Sequence, residues 1–298
     1  MSREQRALAR SFITKGDPRR TPEQQRADFD AGFAERPLGD DVTLVPTTVG
    51  GVPALDVQVE GADARASTVI LYLHGGGYVI GSARTGANLA APLSRRTGLP
   101  TVSLDYRLAP ENPFPAAVDD ALAAYVALQD NGKDVLIAGD SAGGGLALAT
   151  MLAARREGLR LPPAAVVFSP WTDMTLSGAS IDARGDLDPL FSREHFVAYV
   201  EAYLAGHDPK DELASPLLAD LTGLPPLLIQ VGSAEVLLDD SLRLAARAAE
   251  QEVDVSLDVV AGAPHVYQFN VGVMDEADAA LTRAAQWLVQ RGFGGGVA

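Results

Sequence analysis

The sequence predicts a doubly wound α/β fold built on a mainly parallel sheet, and three observations carry that reading. Nearly continuous apolar runs, such as Val69-Ile70-Leu71-Tyr72-Leu73 and Leu227-Leu228-Ile229-Gln230-Val231, suit strands covered on both faces. Stretches with helical periodicity lie between such runs, at about 84–97, 114–129, 142–157, 240–251 and 275–290. Strand and helix therefore alternate, and alternation is the mark of parallel strands joined by crossover helices.

Taken in order, residues 1–42 are polar and helical in pattern, with Thr21-Pro22-Glu23-Gln24 reading as a capping box that has proline at the first helical position. Leu44–Thr48 and Ala54–Glu60 flank a short link containing Gly50-Gly51, which predicts an antiparallel hairpin at one sheet edge. Six further strands are expected at Thr68–Leu73, Thr101–Leu104, Val135–Ala138, Ala164–Phe168, Leu227–Val231 and Val255–Val260. Residues 174–222 interrupt the alternation. They hold no good strand, yet carry an amphipathic helix with Phe196, Tyr199, Val200, Tyr203 and Leu204 on one face. An insertion of that length usually serves as a lid or binding element. With residues 1–42 it is expected to form a helical cap over a catalytic core of residues 43–173 and 223–291. The tail, 292–298, is glycine-rich and expected to fray.

Composition narrows the function. The chain has 298 residues, 47% of them hydrophobic and 21% charged, with a net charge of −15. That sign repels nucleic acid and anionic membranes, both of which are bound through basic patches. There is no cysteine, which removes disulfides, thiolate metal sites and cysteine nucleophiles. The polar N-terminus leads into no apolar segment, and no run approaches the roughly 18 apolar residues of a membrane span. A cytoplasmic protein acting on a neutral small molecule is expected.

The chemistry centres on Gly139-Asp140-Ser141-Ala142-Gly143, which follows one buried strand and opens a helix. This is the setting of a nucleophile elbow, whose turn is so tight that the flanking positions must lack bulk. Ser141 would then stand at a helix N-terminus, where the dipole and free N–H groups favour negative charge. A serine hydroxyl needs a neighbouring base. Of the four histidines, His74 precedes the serine, and His195 and His207 fall in the expected cap. His265 follows the last strand, in the chain order serine, acid, histidine. The acid should follow the preceding strand, in Gly232-Ser-Ala-Glu235-Val-Leu-Leu-Asp239-Asp240. Glu235 sits nearest the strand end and is the expected acid; Asp239 is the alternative, with helix capping as its plainer role. Donors for a developing oxyanion are expected from Ala142 N–H and from the loop His74-Gly75-Gly76-Gly77-Tyr78. No G-x-G-x-x-G, P-loop or H-E-x-x-H pattern is present, so neither nucleotide nor metal chemistry is indicated.

With these motifs in order and spacing, the chain resembles the hormone-sensitive lipase family of α/β-hydrolases, the bacterial esterases with an His-Gly-Gly-Gly motif. The matching residues are His74-Gly-Gly-Gly-Tyr78, Asp105-Tyr-Arg-Leu-Ala-Pro-Glu-Asn-Pro-Phe-Pro-Ala-Ala117, Gly139-Asp-Ser-Ala-Gly-Gly144, Ser169-Pro-Trp-Thr-Asp173 and Pro264-His265, spread over residues 45–290. The resemblance implies an α/β-hydrolase fold with an eight-stranded sheet, a cap, no cofactor, and cleavage of short- or medium-chain esters. It implies oxyanion donors at Gly76, Gly77 and Ala142, with Gly75 adjacent, and substrate contacts from Tyr78, Asp140, Phe191, Phe196, Tyr199 and Tyr203. The family often dimerises. Two departures stand out. Glu235-Val-Leu-Leu-Asp239 replaces the usual Asp-Pro-Leu-x-Asp, as in a subgroup with lactone-hydrolysing members, and Asn112 stands where many relatives have histidine. Amides or carbamates, and a non-catalytic receptor on the same fold, are the remaining alternatives.

Overall fold

The computed structural model describes residues 20–34 and 36–295. The helical pattern read over residues 1–19 and the end of the tail at 296–298 lie outside the described residues.

Helix α1 (Pro22–Ala34) opens with the expected capping box: Gln24 N–H donates to Thr21 Oγ1 (3.4 Å), and Thr21 N–H donates to Gln24 Oε1 (3.2 Å). Strands β1 (Val42–Val49) and β2 (Val52–Val59) form the antiparallel hairpin. The alternation then runs β3 (Thr68–Leu73), α2 (Ala83–Thr97), β4 (Thr101–Leu104), α3 (Ala116–Asp130), β5 (Asp134–Asp140), α4 (Ala142–Arg156) and β6 (Ala165–Phe168). After the interruption come β7 (Leu227–Gly232), α7 (Leu238–Glu250), β8 (Val255–Val260) and α8 (Asp275–Gln290). The eight strands lie in the order β1-β2-β4-β3-β5-β6-β7-β8, parallel from β4 to β8.

The apolar runs are apolar on both faces because helices cover both sides. Val69, Leu71 and Leu73 point into one cluster with Leu146 of α4 and Leu244 of α7. Ile70 and Tyr72, one residue out of phase, point into a second with Leu89 of α2 and Leu281 of α8. Each buried leucine here is worth about 1.5–3 kcal/mol relative to exposure. Strand β8 is the exception; it closes one edge, and its alternate residues Leu257 and Val259 are exposed.

The interruption between β6 and β7 holds a one-turn helix α5 (Ser180–Ala183), too short to leave a periodic signal, and helix α6 (Arg193–Leu204). As the amphipathic pattern predicts, Phe196, Tyr199, Tyr203 and Leu204 are buried, while Val200 is only partly covered. Helix α1 packs against both α6 and the glycine loop. Tyr199 Oη donates to Gln25 Oε1 (3.2 Å), and Arg26 donates to the carbonyls of Val79 and Ala109 (2.8 Å each). The expectation of a frayed tail fails for residues 292–295. Gly295 N–H donates to Thr97 O (3.1 Å), and Phe293 packs on the second core cluster, so an apolar anchor outweighs the glycine-rich composition. Among the described residues no helix is long and apolar enough to cross a membrane.

Candidate active site

Ser141 occupies the turn between β5 and α4 at φ 51°, ψ −120°, a conformation non-glycine residues rarely adopt. Three contacts hold it there. Its N–H donates to Phe168 O (2.8 Å), while its carbonyl accepts from Trp171 N–H (2.9 Å) and Gly145 N–H (3.1 Å). The flanking glycines are required by space: a Cβ on Gly143 would lie 2.0 Å from Leu73 O, and one on Gly139 would lie 2.4 Å from Gly143 O.

His265 stands on the loop after β8, and its Nε2 lies 3.0 Å from Ser141 Oγ, 124 residues away in the chain. Its Nδ1 lies 3.2 Å from Glu235 Oε1. With the hydrogen on Nδ1, the ring donates to the carboxylate and accepts from the serine, the arrangement a general base needs. Glu235 Oε2 accepts from Ser169 Oγ (2.8 Å) and Gly232 N–H (3.1 Å). All three side chains are buried, with Ser141 the most open at 6%. Burial opposes a charged imidazole, but Glu235, backed by Asp188 and Asp140, outweighs it and holds the His265 pKa above the ordinary value of 6.5. Burial likewise raises Glu235, with the imidazole pulling the other way.

Asp239, the alternative acid, faces elsewhere. It accepts from Ser180 N–H (2.9 Å), tying α7 to α5.

The glycine loop meets this row from the β3 side. Gly76 and Gly77 take φ values of +117° and +61°, and among the described residues their N–H groups have no protein acceptor. Ala142 N–H, in the first turn of α4, has no intrahelical partner by geometry. Gly75 departs from expectation: its N–H donates to Asp140 Oδ1 (3.1 Å), so it is already engaged. Asp140 departs with it. Rather than facing a substrate, its carboxylate is buried and also accepts from Tyr72 Oη (2.8 Å); burial pushes its pKa up to about 6. It braces the loop from beneath. His74 does the same from the side, its Nδ1–H donating to Gly75 O (2.7 Å) and its ring stacked on Tyr106 at 4.2 Å. Burial lowers its pKa to about 4, so it is neutral at pH 7.

The aromatic residues divide. Phe191 stands edge-on to the His265 ring at 5.2 Å, and Phe196 lies 5.5 Å from Phe191 and 4.7 Å from Trp171. The Tyr199 ring presses on Gly77, where a Cβ would come within 2.4 Å of it. Phe191 thus borders the imidazole and Tyr199 the glycine loop, while Phe196 backs Phe191 from within the core. Tyr78 and Tyr203 instead stack on each other at 3.8 Å inside the core, forming a pillar between the glycine loop and α6. That corrects their expected role in lining the site. The sequence pattern assigns no role to Ser169, although it opens one of the matching motifs. Ser169 follows directly on β6, at the carboxyl end of the sheet where function concentrates in such folds, and that position is the signal it offers.

The family model for the alpha/beta hydrolase fold matches residues 70–269, which spans every residue of this cluster. The chain belongs to the α/β-hydrolase family. It is 42% identical over 275 residues to an acetyl-hydrolase of Streptomyces hygroscopicus, covering 91% of this chain and 89% of the relative. An esterase of Acinetobacter venetianus is 36% identical over 255 residues, covering 84% and 83%. Among solved structures, an esterase of the bacterial hormone-sensitive lipase family superposes with a TM-score of 0.93 at 41% identity, covering 98% of this chain and 99% of that one. The resemblance drawn from the motifs agrees with these neighbours.

Proposed function

We propose that the protein is a serine carboxylesterase that cleaves short- to medium-chain acyl esters through a covalent acyl-enzyme. The observation that carries this reading is the unbroken row Ser141 Oγ, His265 Nε2, His265 Nδ1 and Glu235 Oε1, at 3.0 and 3.2 Å, beside uncommitted backbone donors. His265 accepts the Ser141 proton as Oγ bonds to the carbonyl carbon. The charge moves to the carbonyl oxygen, which the N–H groups of Gly76, Gly77 and Ala142 receive. Collapse breaks the C–O bond to the leaving alcohol, which takes the proton from His265. Water, deprotonated by the same imidazole, then releases the acid and restores Ser141. The names of the relatives, acetyl-hydrolase and esterase, support ester over amide substrates. The rings of Phe191 and Tyr199, close on His265 and Gly77, support a limit on acyl length.

Initial rates on p-nitrophenyl esters from acetate to palmitate test the reading. A maximum at short or medium chains is expected. Ser141→Ala should lower kcat by at least about 10⁴, and Glu235→Gln by on the order of 10³–10⁴. A Ser141→Ala protein keeping a tenth of wild-type rate would remove the nucleophile assignment. Turnover of lactones or amides with no ester hydrolysis would replace the substrate class.

A further inference from the structure

The acid and the base sit on loops of the sheet, yet the loop carrying the acid is held from its far side by the segment between β6 and β7. Ser180 Oγ donates to Val236 O (2.6 Å) and accepts from Asp239 N–H (2.9 Å). Ser180 N–H donates to Asp239 Oδ2 (2.9 Å). Asp188 completes the grip. One carboxylate oxygen accepts from Val236 N–H (3.0 Å), the residue next to Glu235, and the other accepts from Leu190 N–H (2.8 Å) and Phe191 N–H (3.1 Å). Asp188 is 1% exposed, and among the described residues no cation pairs with it.

A buried carboxylate held only by backbone N–H groups is costly to keep, and the three donors it satisfies sit on two different loops. One of those loops carries Glu235. The other carries Phe191, whose ring stands against His265.

We propose that Asp188 is a positioning residue for ester hydrolysis: it locks the Phe191 segment to the Glu235 loop, so that the imidazole is aligned only when the segment between β6 and β7 is seated. This inference rests on the esterase reading for its kinetic consequences, though not for its structural one. Asparagine at this position keeps the shape but offers a single acceptor oxygen, so an NH2 group must face Val236 N–H or the Leu190 and Phe191 pair. The charge is also lost. The charged groups facing His265 are Glu235, Asp188 and Asp140, all three raising its pKa, so removal of one should lower it.

The experiment compares wild type, Asp188→Asn and, as a control, Leu187→Ser at an exposed neighbour. With p-nitrophenyl acetate, Asp188→Asn should lose roughly 10-fold or more in kcat with KM changed far less. Its kcat/KM acid limb should move to lower pH. Leu187→Ser should match wild type. A folded Asp188→Asn protein with wild-type kcat and an unshifted acid limb overturns the inference. A second measurement needs no variant: hydrogen exchange of wild-type peptides covering 186–192 and 234–239. Common opening of both, with the same denaturant dependence, supports the lock. Exchange at unrelated rates overturns it, even if Asp188→Asn fails to fold. Wild-type protein that turns over no ester removes the esterase reading alone, and the exchange result still decides the lock.

Discussion

At the scale of single residues, the proposed role of His265 as general base implies how activity should depend on pH. The imidazole works as a base only when neutral, and its pKa is held above 6.5 chiefly by Glu235 against the pull of burial. With His265 as the proposed base, activity should be present above that raised value and lost as pH falls through it. A kcat/KM profile with p-nitrophenyl acetate should show an acid limb with its midpoint above 6.5; a midpoint well below would mean that the carboxylate does not act on the ring. The meeting of Ser141, His265 and Glu235 could be expected from the sequence because each follows an expected strand, in the chain order serine, acid, histidine. Ser169, Asp140 and Asp188 are not legible in those roles. The first joins Glu235 to Val266 N–H (3.1 Å), and the last reaches a partner 48 positions away, so their partners exist only once the chain is folded. Tyr203 is misplaced for a related reason. Helical periodicity puts its ring on the buried face, but says nothing of Tyr78 waiting there to stack.

Elements set the site because a tight turn must join each strand to the helix or loop after it. At the β5–α4 corner the fit leaves no room for a side chain. Gly143→Ala should cost about 3 kcal/mol or more, since its Cβ would meet Leu73 O at 2.0 Å and neither backbone can yield. By contrast Gly32 lies within α1, where an added Cβ would meet nothing within 4 Å, so Gly32→Ala should stabilise by about 0.5–1 kcal/mol. Chemical denaturation of both variants checks the contrast; equal effects would mean that packing at the corner is looser than the distances imply. All eight strands and the main crossover helices are readable from period and punctuation, with ends differing by a residue or two. Helix α5 leaves no trace because four residues complete scarcely one turn, and its stability comes from Asp239 and Val236 across the interface rather than from its own sequence.

For the whole molecule, the sheet supplies a rigid floor, and α1 with α6 closes over it. Helix α1 has a weak apolar face and is held instead by a few long side chains. Arg26 reaches the carbonyls of Val79 and Ala109 and pairs with Glu111 (2.6 Å), so it fastens the helix to the loops beside the glycine turn. Arg26→Met should lower stability by about 1.5–3 kcal/mol and expose α1 to limited proteolysis before the sheet unfolds. Unchanged resistance at α1 would show that Phe29 and Phe33 hold it without the arginine.

The far end of that helix carries a different lesson. Phe33 packs on Phe269 at 4.8 Å, and Arg36 donates to the Phe269 carbonyl across 233 residues of chain. During synthesis on the ribosome, this segment must therefore wait for a partner that emerges 233 residues later. Thirteen residues of helix are marginal in water without a surface to lie on. A helix that precedes the whole sheet in the chain is in this way seated after it, and its arrival signals that the sheet beneath it is complete.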